Sequence, residues 1–467
     1  MTRAVVEAET TAGDGGTTGN GTRVVVAGGG HGAHVVVATL AVRTSLEVVW
    51  YLPYRDEAER VLRALRAAGL TVVAPTGEWA VDASRLVVTR DPRLAAGAGA
   101  VLLVAPAFAH ESLLEQLSPW LGPGTVVAAI PARGGLEYQV GDLAKRVPGL
   151  VVCGSQTLPW ACRIEVFGQR VRVLGAKARV LVGCRPPSRA AEVARRLSAW
   201  LGVRVVPAGG LTAMTLANTG QILHPGLMYV HVKRLPRRPL ASGELPFFYQ
   251  DAGEEGTRLV AALSAEVMAL KEALLRYREG LDLGAVVDIF AWLKEAYRDQ
   301  IEDDGDLARA LASNRAYRGI RLPVVEVPGG CRPDLESRYL TEDVPFGLLV
   351  TRGLAELAGV PTPVVDRVLA EVGEWMGVPW LRDGRLSPEG VARSRAPQRY
   401  GIDTLAQALA GELDAGCGGG DGQAAPWAGP AMGGACSGTT PGHSACRGTE
   451  GLVRGRSRKM SGRHGGP

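Results

Sequence analysis

The chain has 467 residues, 46% of them hydrophobic and 21% charged, which is enough to bury two or three domain cores and too apolar for a disordered chain. Lys and Arg number 52 against 47 Asp and Glu, a net charge of +5. Residues 416–467 carry +4 of it and residues 1–22 carry −2, so the body keeps only +3, too weak a bias for a nucleic-acid-binding surface.

Residues 1–21 are rich in Thr and Gly and do not read as a secretory or transit leader. Residues 24–27 (VVVA) are a β-branched run that predicts a first buried strand. It feeds Gly28-Gly29-Gly30-His31-Gly32-Ala33, a G-x-G-x-x-A turn, and then a helix over 33–43. Gly28 permits the tight turn, Gly30 lets a pyrophosphate approach the backbone, and Ala33 lets the helix sit close on the strand. His31 and Gly32 complete the loop, and the helix N-terminus behind it offers N–H groups to phosphate oxygens. A second strand over 47–52 and a helix over 56–68 follow at the distances a dinucleotide-binding unit requires. The acid expected at the end of the second strand, to hold a ribose 2′-OH, is missing; Tyr51, Leu52, Pro53 and Tyr54 stand there, then Arg55. Arg55 either meets a 2′-phosphate, which favours NADPH, or is a solvated helix-start residue beside Asp56 and Glu57.

Short apolar runs at 101–105, 125–130, 179–182 and 203–206, with a helix over 189–201, complete a parallel α/β pattern. From Ala208-Gly209-Gly210 onward the period becomes helical. Val260, Leu263, Val267, Leu270 and Leu274 share one helix face, Val286, Phe290, Leu293 and Tyr297 repeat the rule, and Thr362-Pro363 predicts a capped helix start ahead of Val364, Val368 and Val372. The expected architecture is α/β: a Rossmann dinucleotide-binding domain over 23–206 and an all-helical second domain over 207–414. Residues 1–22 and 415–467 lack a core-forming pattern and are expected to be disordered. No apolar run approaches the roughly 18–20 residues that cross a bilayer. Seven scattered Cys without a CxxC pair or metal spacing read as reduced thiols, so the expectation is a cytoplasmic protein without metal, membrane or nucleic-acid partner.

Two polar segments interrupt the helical domain. In Asn218-Thr219-Gly220-Gln221-Ile222-Leu223-His224-Pro225, the histidine is either a hydrogen-bonded structural residue or a catalyst. Pro225 is placed to break the helix there. In Arg338-Tyr339-Leu340-Thr341-Glu342-Asp343-Val344-Pro345-Phe346-Gly347, the acids either cap the apolar helix that follows or serve chemistry.

Taken together, GGGHGAH (28–34), DEAER (56–60), PAFAHE (106–111), TLPWACR (157–163), the segment from Asn218 to Gly226 and RYLTEDVPFG (338–347) resemble the octopine/nopaline-type opine dehydrogenases over most of 23–410. The resemblance implies a Rossmann domain joined to a helical one, with a cleft between them. It implies an enzyme that condenses the amino group of an amino acid with an α-keto acid, usually pyruvate, and reduces the imine with NAD(P)H; NADH is usual in the family, and nothing at residues 51–55 rejects NADPH. Small-molecule substrates and a monomer or homodimer follow from it. By the same resemblance His224 is the catalytic histidine, Asp343 its partner, Arg338 the keto-acid carboxylate ligand, and Asn218 and Cys162 line the substrate cleft. Two positions depart from the pattern: His31 replaces a common Asn, and Arg133 stands where relatives often carry Gln. A cation there, facing the substrate, would repel a guanidinium and welcome an acidic or sulfonic donor. The competing readings are a two-domain NAD(P)-dependent reductase of a 2-keto acid or sugar phosphate, and a dinucleotide sensor that has lost catalysis.

Overall fold

A computed structural model describes residues 22–413; the expected tail over 415–467 and nearly all of the expected N-terminal segment over 1–22 lie outside the described residues. The strands of the first half are β1 (Arg23–Ala27), β2 (Glu47–Tyr51), β3 (Leu70–Ala74), β4 (Gly77–Val81), β5 (Leu86–Thr89), β6 (Ala100–Leu103), β7 (Val126–Ala129), β8 (Val151–Ser155), β9 (Trp160–Val166), β10 (Arg170–Ala176), β11 (Val180–Arg185) and β12 (Val205–Pro207). Eight of them form one sheet in the order β12-β11-β8-β7-β6-β1-β2-β5. From β8 to β5 neighbours run parallel, as the alternating pattern predicts. The β8–β11 pair is antiparallel, so the sheet is mixed, a correction to the all-parallel expectation. β12 also carries the sheet one residue past the expected boundary at 206.

The helices of this half are α1 (His31–Arg43), α2 (Glu57–Ala68), α3 (Ala107–Leu117), α4 (Leu136–Gln139), α5 (Gly141–Arg146) and α6 (Ala190–Leu201). Ten consecutive residues of α1, Gly32 to Ala41, are buried. An amphipathic helix on a sheet would expose one side; α1 is apolar nearly all round, with His34 and Thr39 buried too, and such a helix needs cover on every side. That cover is a second sheet, β4-β3-β10-β9, which sequence periodicity did not announce. Its strands are half-exposed and carry Arg/Glu pairs, so they lack the apolar runs that marked the first sheet.

The second half contains α7 (Leu211–Leu216), α8 (Gly220–Arg234), α9 (Gly253–Tyr277), α10 (Ile289–Ala296), α11 (Leu307–Ser313), α12 (Arg338–Thr341), α13 (Leu349–Ala358) and α14 (Pro363–Met376), with further short turns. Two hairpins, β13–β14 (Val324–Val327, Gly330–Pro333) and β15–β16 (Leu381–Arg382, Arg385–Leu386), make it mostly rather than wholly helical. The predicted stripe of α9 is buried throughout. α8 passes through Pro225 without breaking, because a proline in the second turn forfeits only one helical hydrogen bond. α14 starts at Pro363 as expected, but Thr362 does not cap it: Glu266 of α9 accepts from the N–H groups of Val364 and Val365 at 2.7 and 2.9 Å. Among the described residues, no helix is long and apolar enough to cross a membrane.

Candidate active site

The glycine turn is held from beneath. Trp50 Nε1 donates to Gly28 O at 2.8 Å, and Gly28 has φ +129°, where a side chain would be strained and its Cβ would run into Val104 O. Space over Gly30 is open, α1 begins there with no side-chain cap and no acid in its first turn, and Ala33 is buried against the sheet. A bare helix start behind an uncrowded turn fits a dinucleotide pyrophosphate. His31 also lines the cleft beyond the turn: its Nδ1 accepts from Ile164 N at 2.9 Å, and burial with nearby Arg163 lowers its pKa.

A carboxylate does reach the glycine turn, from one turn beyond the end of β2. Glu57, the first residue of α2, sits so close to the turn that a Cβ on Gly29 would lie 2.5 Å from its Oε2. Burial raises its pKa. Arg55 is exposed in a left-handed bend at φ +45°. Spacing alone hid Glu57, because Tyr54-Arg55-Asp56 form an extra bend before the helix.

Beyond the turn lies a cleft of about 830 Å³, lined from the sheet side by Val104, Pro131, Arg133, Cys162 and Lys177 and from the helical side by Asn218, His224, Tyr249, Trp292, Arg338 and Asp343. His224, on α8, places Nδ1 2.8 Å from Asp343 Oδ2 and Nε2 3.0 Å from the Tyr249 hydroxyl. With Asp343 ionised, Nδ1–H donates to the carboxylate and Nε2 accepts from Tyr249. Tyr339 stacks on the imidazole at 4.2 Å between centroids. Asp343 is 1% exposed and its second oxygen accepts from Arg133 Nη1 at 2.6 Å. Burial alone would push this carboxyl up, but Arg133 and His224 together outweigh it and hold Asp343 below the usual range.

Asp343 reaches this place through an irregular turn. Residues Val344–Leu348 form a π-turn, with Leu348 N donating to Asp343 O at 2.9 Å. The distortion leaves Phe346 O to accept from Gly134 N of the other domain at 2.7 Å. Gly347 faces α8 so closely that a Cβ would come within 2.6 Å of Gln221 Cβ. The acids of this segment therefore do not cap the helix that follows them.

Arg133 is the main revision among the expected site residues. Its guanidinium lines the cleft, but Asp343 at 2.6 Å and Glu342 at 3.4 Å neutralise it. It is no free second cation for a substrate and does not by itself disfavour a guanidinium donor. Arg338 is 60% exposed and its Nε donates to Glu342 Oε2 at 2.6 Å, so part of its fork is already spoken for. Glu342, which the sequence marked only as a possible cap, is buried, takes both arginines, and also accepts from Ala107 N at 3.1 Å. The fully buried Arg395, a residue no motif flagged, donates to Ala107 O and Ala132 O at 2.8 and 3.1 Å. Asn218 is buried beside the cleft, and its Nδ2 has no partner. Cys162 lines the cleft as a thiol, its pKa pushed up to about 11 by burial. No cluster able to hold a metal occurs among the described residues.

A glycine turn built for a dinucleotide, opening into a cleft with a His–Asp pair, defines an NAD(P)-dependent oxidoreductase. The comparisons make the class specific. Residues 207–376 match the family described as NAD/NADP octopine/nopaline dehydrogenase, alpha-helical domain. The chain is 35% identical over 401 residues to an octopine dehydrogenase of Mizuhopecten yessoensis (84% of this chain, 99% of that one) and 33% identical over 395 residues to a tauropine dehydrogenase of Arabella iricolor (82% and 98%). A solved structure of octopine dehydrogenase with NADH and L-arginine is 34% identical, covers 84% of this chain and 98% of its own, and superimposes with a TM-score of 0.76. The chain belongs to the octopine-type opine dehydrogenase family, and it is an oxidoreductase acting on CH–NH bonds.

Proposed function

We propose that this enzyme condenses pyruvate with the amino group of an amino acid and reduces the resulting imine with NADH. The observation that carries the reading is the Asp343–His224–Tyr249 chain of hydrogen bonds in a cleft shared with the glycine turn. Solved structures of octopine dehydrogenase with NADH and L-arginine, and with NADH and pyruvate, support the substrate classes.

The bound nicotinamide supplies the hydride. Gly28 to Ala33 and the start of α1 would hold the pyrophosphate. Glu57 accepts from the ribose hydroxyls and repels a 2′-phosphate, which makes NADH rather than NADPH the working cofactor. Asp343 fixes the imidazole tautomer of His224 and stabilises its charged form. His224 Nε2 gives a proton to the departing carbinolamine hydroxyl, a step that imidazole performs well near neutral pH. Tyr249 holds Nε2 until a substrate oxygen displaces or relays through its hydroxyl. The free edge of the Arg338 guanidinium and the unpartnered Asn218 amide hold the keto-acid carboxylate. Arg133 acts through Asp343 as a positioning residue.

The test is NADH oxidation with pyruvate, with and without a panel of amino acids. Oxidation that requires both substrates is the expected result. Oxidation with keto acid alone selects a simple reductase, and cofactor binding without turnover selects a sensor.

A further inference from the structure

Lys177 is the one cation of the cleft wall that neither the motifs nor the proposed chemistry uses. It follows the end of β10, paired there with β9, which carries Cys162. Its ammonium donates to Leu158 O at 2.8 Å, and among the described residues it has no carboxylate partner. Burial, aided by the nearby Arg133 guanidinium and opposed by the Cys162 thiol, lowers its pKa to about 8. A half-buried ammonium with donors to spare and no carboxylate partner is an anion site waiting for its anion.

The position of Lys177 says which substrate brings that anion. It stands at the junction of the main cleft with a small annex of about 60 Å³, which Gln156, Thr157 and Trp292 also line. The keto-acid carboxylate is assigned to Arg338, on the helical side, so the annex takes the side chain of the amino donor. Charges around this path are nearly all spoken for. Asp343, the one carboxylate among the residues lining the main cleft, is bonded to His224 and Arg133. Glu295, the one carboxylate lining the annex, is paired with Arg179. A guanidinium or ammonium side chain would find no unpaired acid there and would meet Lys177.

We infer that Lys177 is a specificity-determining residue that binds a second carboxylate on the side chain of the amino donor, making amino dicarboxylates the preferred donors. This rests on the opine reading given above. An ammonium–carboxylate hydrogen bond in a partly desolvated site is worth tenfold to a hundredfold in kcat/KM.

The experiment measures kcat/KM for aspartate, glutamate, alanine and arginine with pyruvate and NADH saturating, in wild type and Lys177→Met. Aspartate or glutamate should exceed arginine in the wild type. In the variant the dicarboxylates should fall tenfold to a hundredfold, while alanine changes less than threefold. A wild type that uses arginine as well as aspartate overturns the assignment, and this ranking needs no variant to fold. Equal losses for alanine and the dicarboxylates overturn it too, because Lys177 would then hold a group common to all donors. Either result leaves the opine reading standing; NADH oxidation that ignores the amino acid altogether overturns both.

Discussion

Replacing Arg133 with Met removes the guanidinium that holds Asp343 from the side opposite His224. Both partners are poorly hydrated, Asp343 at 1% and Arg133 at 17% side-chain exposure, with 2.6 Å between Nη1 and Oδ1. Deleting one member of such a pair strands the other charge, at a cost of about 3–5 kcal/mol. The loss should depend on pH in a particular way. In the wild type, burial opposes ionisation of Asp343, but Arg133 and His224 prevail and its pKa lies below the ordinary 3.8. A depressed carboxylate pKa contributes stability that is present above about pH 4 and lost as pH falls through the folded value. Without Arg133, burial dominates and the folded pKa rises above the unfolded one. Asp343 in the variant then favours folding only while protonated, and that stability disappears as pH increases. The gap between wild type and variant in urea unfolding should be widest near pH 7–8 and narrow toward pH 4. Turnover should fall alongside, because Asp343 no longer has a fixed orientation against Nδ1, and Arg133→Lys should recover part of it by restoring the charge. A loss below 1 kcal/mol at pH 7, or one of equal size across this range, would refute the coupling of Arg133 to Asp343.

His224→Ala should lower kcat by about 10²–10⁴ with little change in NADH affinity by fluorescence titration; Asp343→Asn should cost a similar or smaller factor, and the double variant should fall well short of the product of the two. Glu57→Ala should weaken NADH about tenfold in kcat/KM and improve NADPH, whereas Arg55→Ala should leave the ratio of the two cofactors unchanged. A third test concerns Glu137, which Thr215 bonds at 2.8 Å across the two halves and whose pKa is raised to about 7 by burial and by Glu412. A raised carboxyl pKa stabilises below the unfolded value near 4.5 and is lost as pH rises through 7, so this group should cost the wild type about 3 kcal/mol between pH 5 and 8. Glu137→Gln, which mimics the protonated side chain, should flatten that part of the unfolding profile; an unchanged slope would assign the pH dependence elsewhere.

Local pattern alone determined a good deal of this protein. The strand-turn-helix around Gly28 is dictated by neighbours in the chain: β-branched residues, glycines at positions where a Cβ would collide, and an apolar helix behind them. The stripe of α9 follows from 3.6-residue periodicity, as does that of α14 at Val368 and Val372, though Val365 rather than Val364 is buried at its start; local pattern left His224, Asp343 and Arg338 open, and the family resemblance singled them out. Tertiary structure decided the rest. The sheet that encloses α1 is built from short, half-exposed strands whose partners lie up to about a hundred residues away; residues 170–173 alternate exposed and buried, but that local period names no partner strand. The approach of Glu57 to the glycine turn was not legible, because an extra bend, rather than a residue count, sets where α2 begins. Arg133 was taken as a free cation because its neutralising acids, Glu342 and Asp343, lie more than 200 residues further along the chain. The same holds for Lys177, whose significance lies in the carboxylate it lacks. Which charges are paired is a property of the space between domains, and a sequence read along its length does not contain that space.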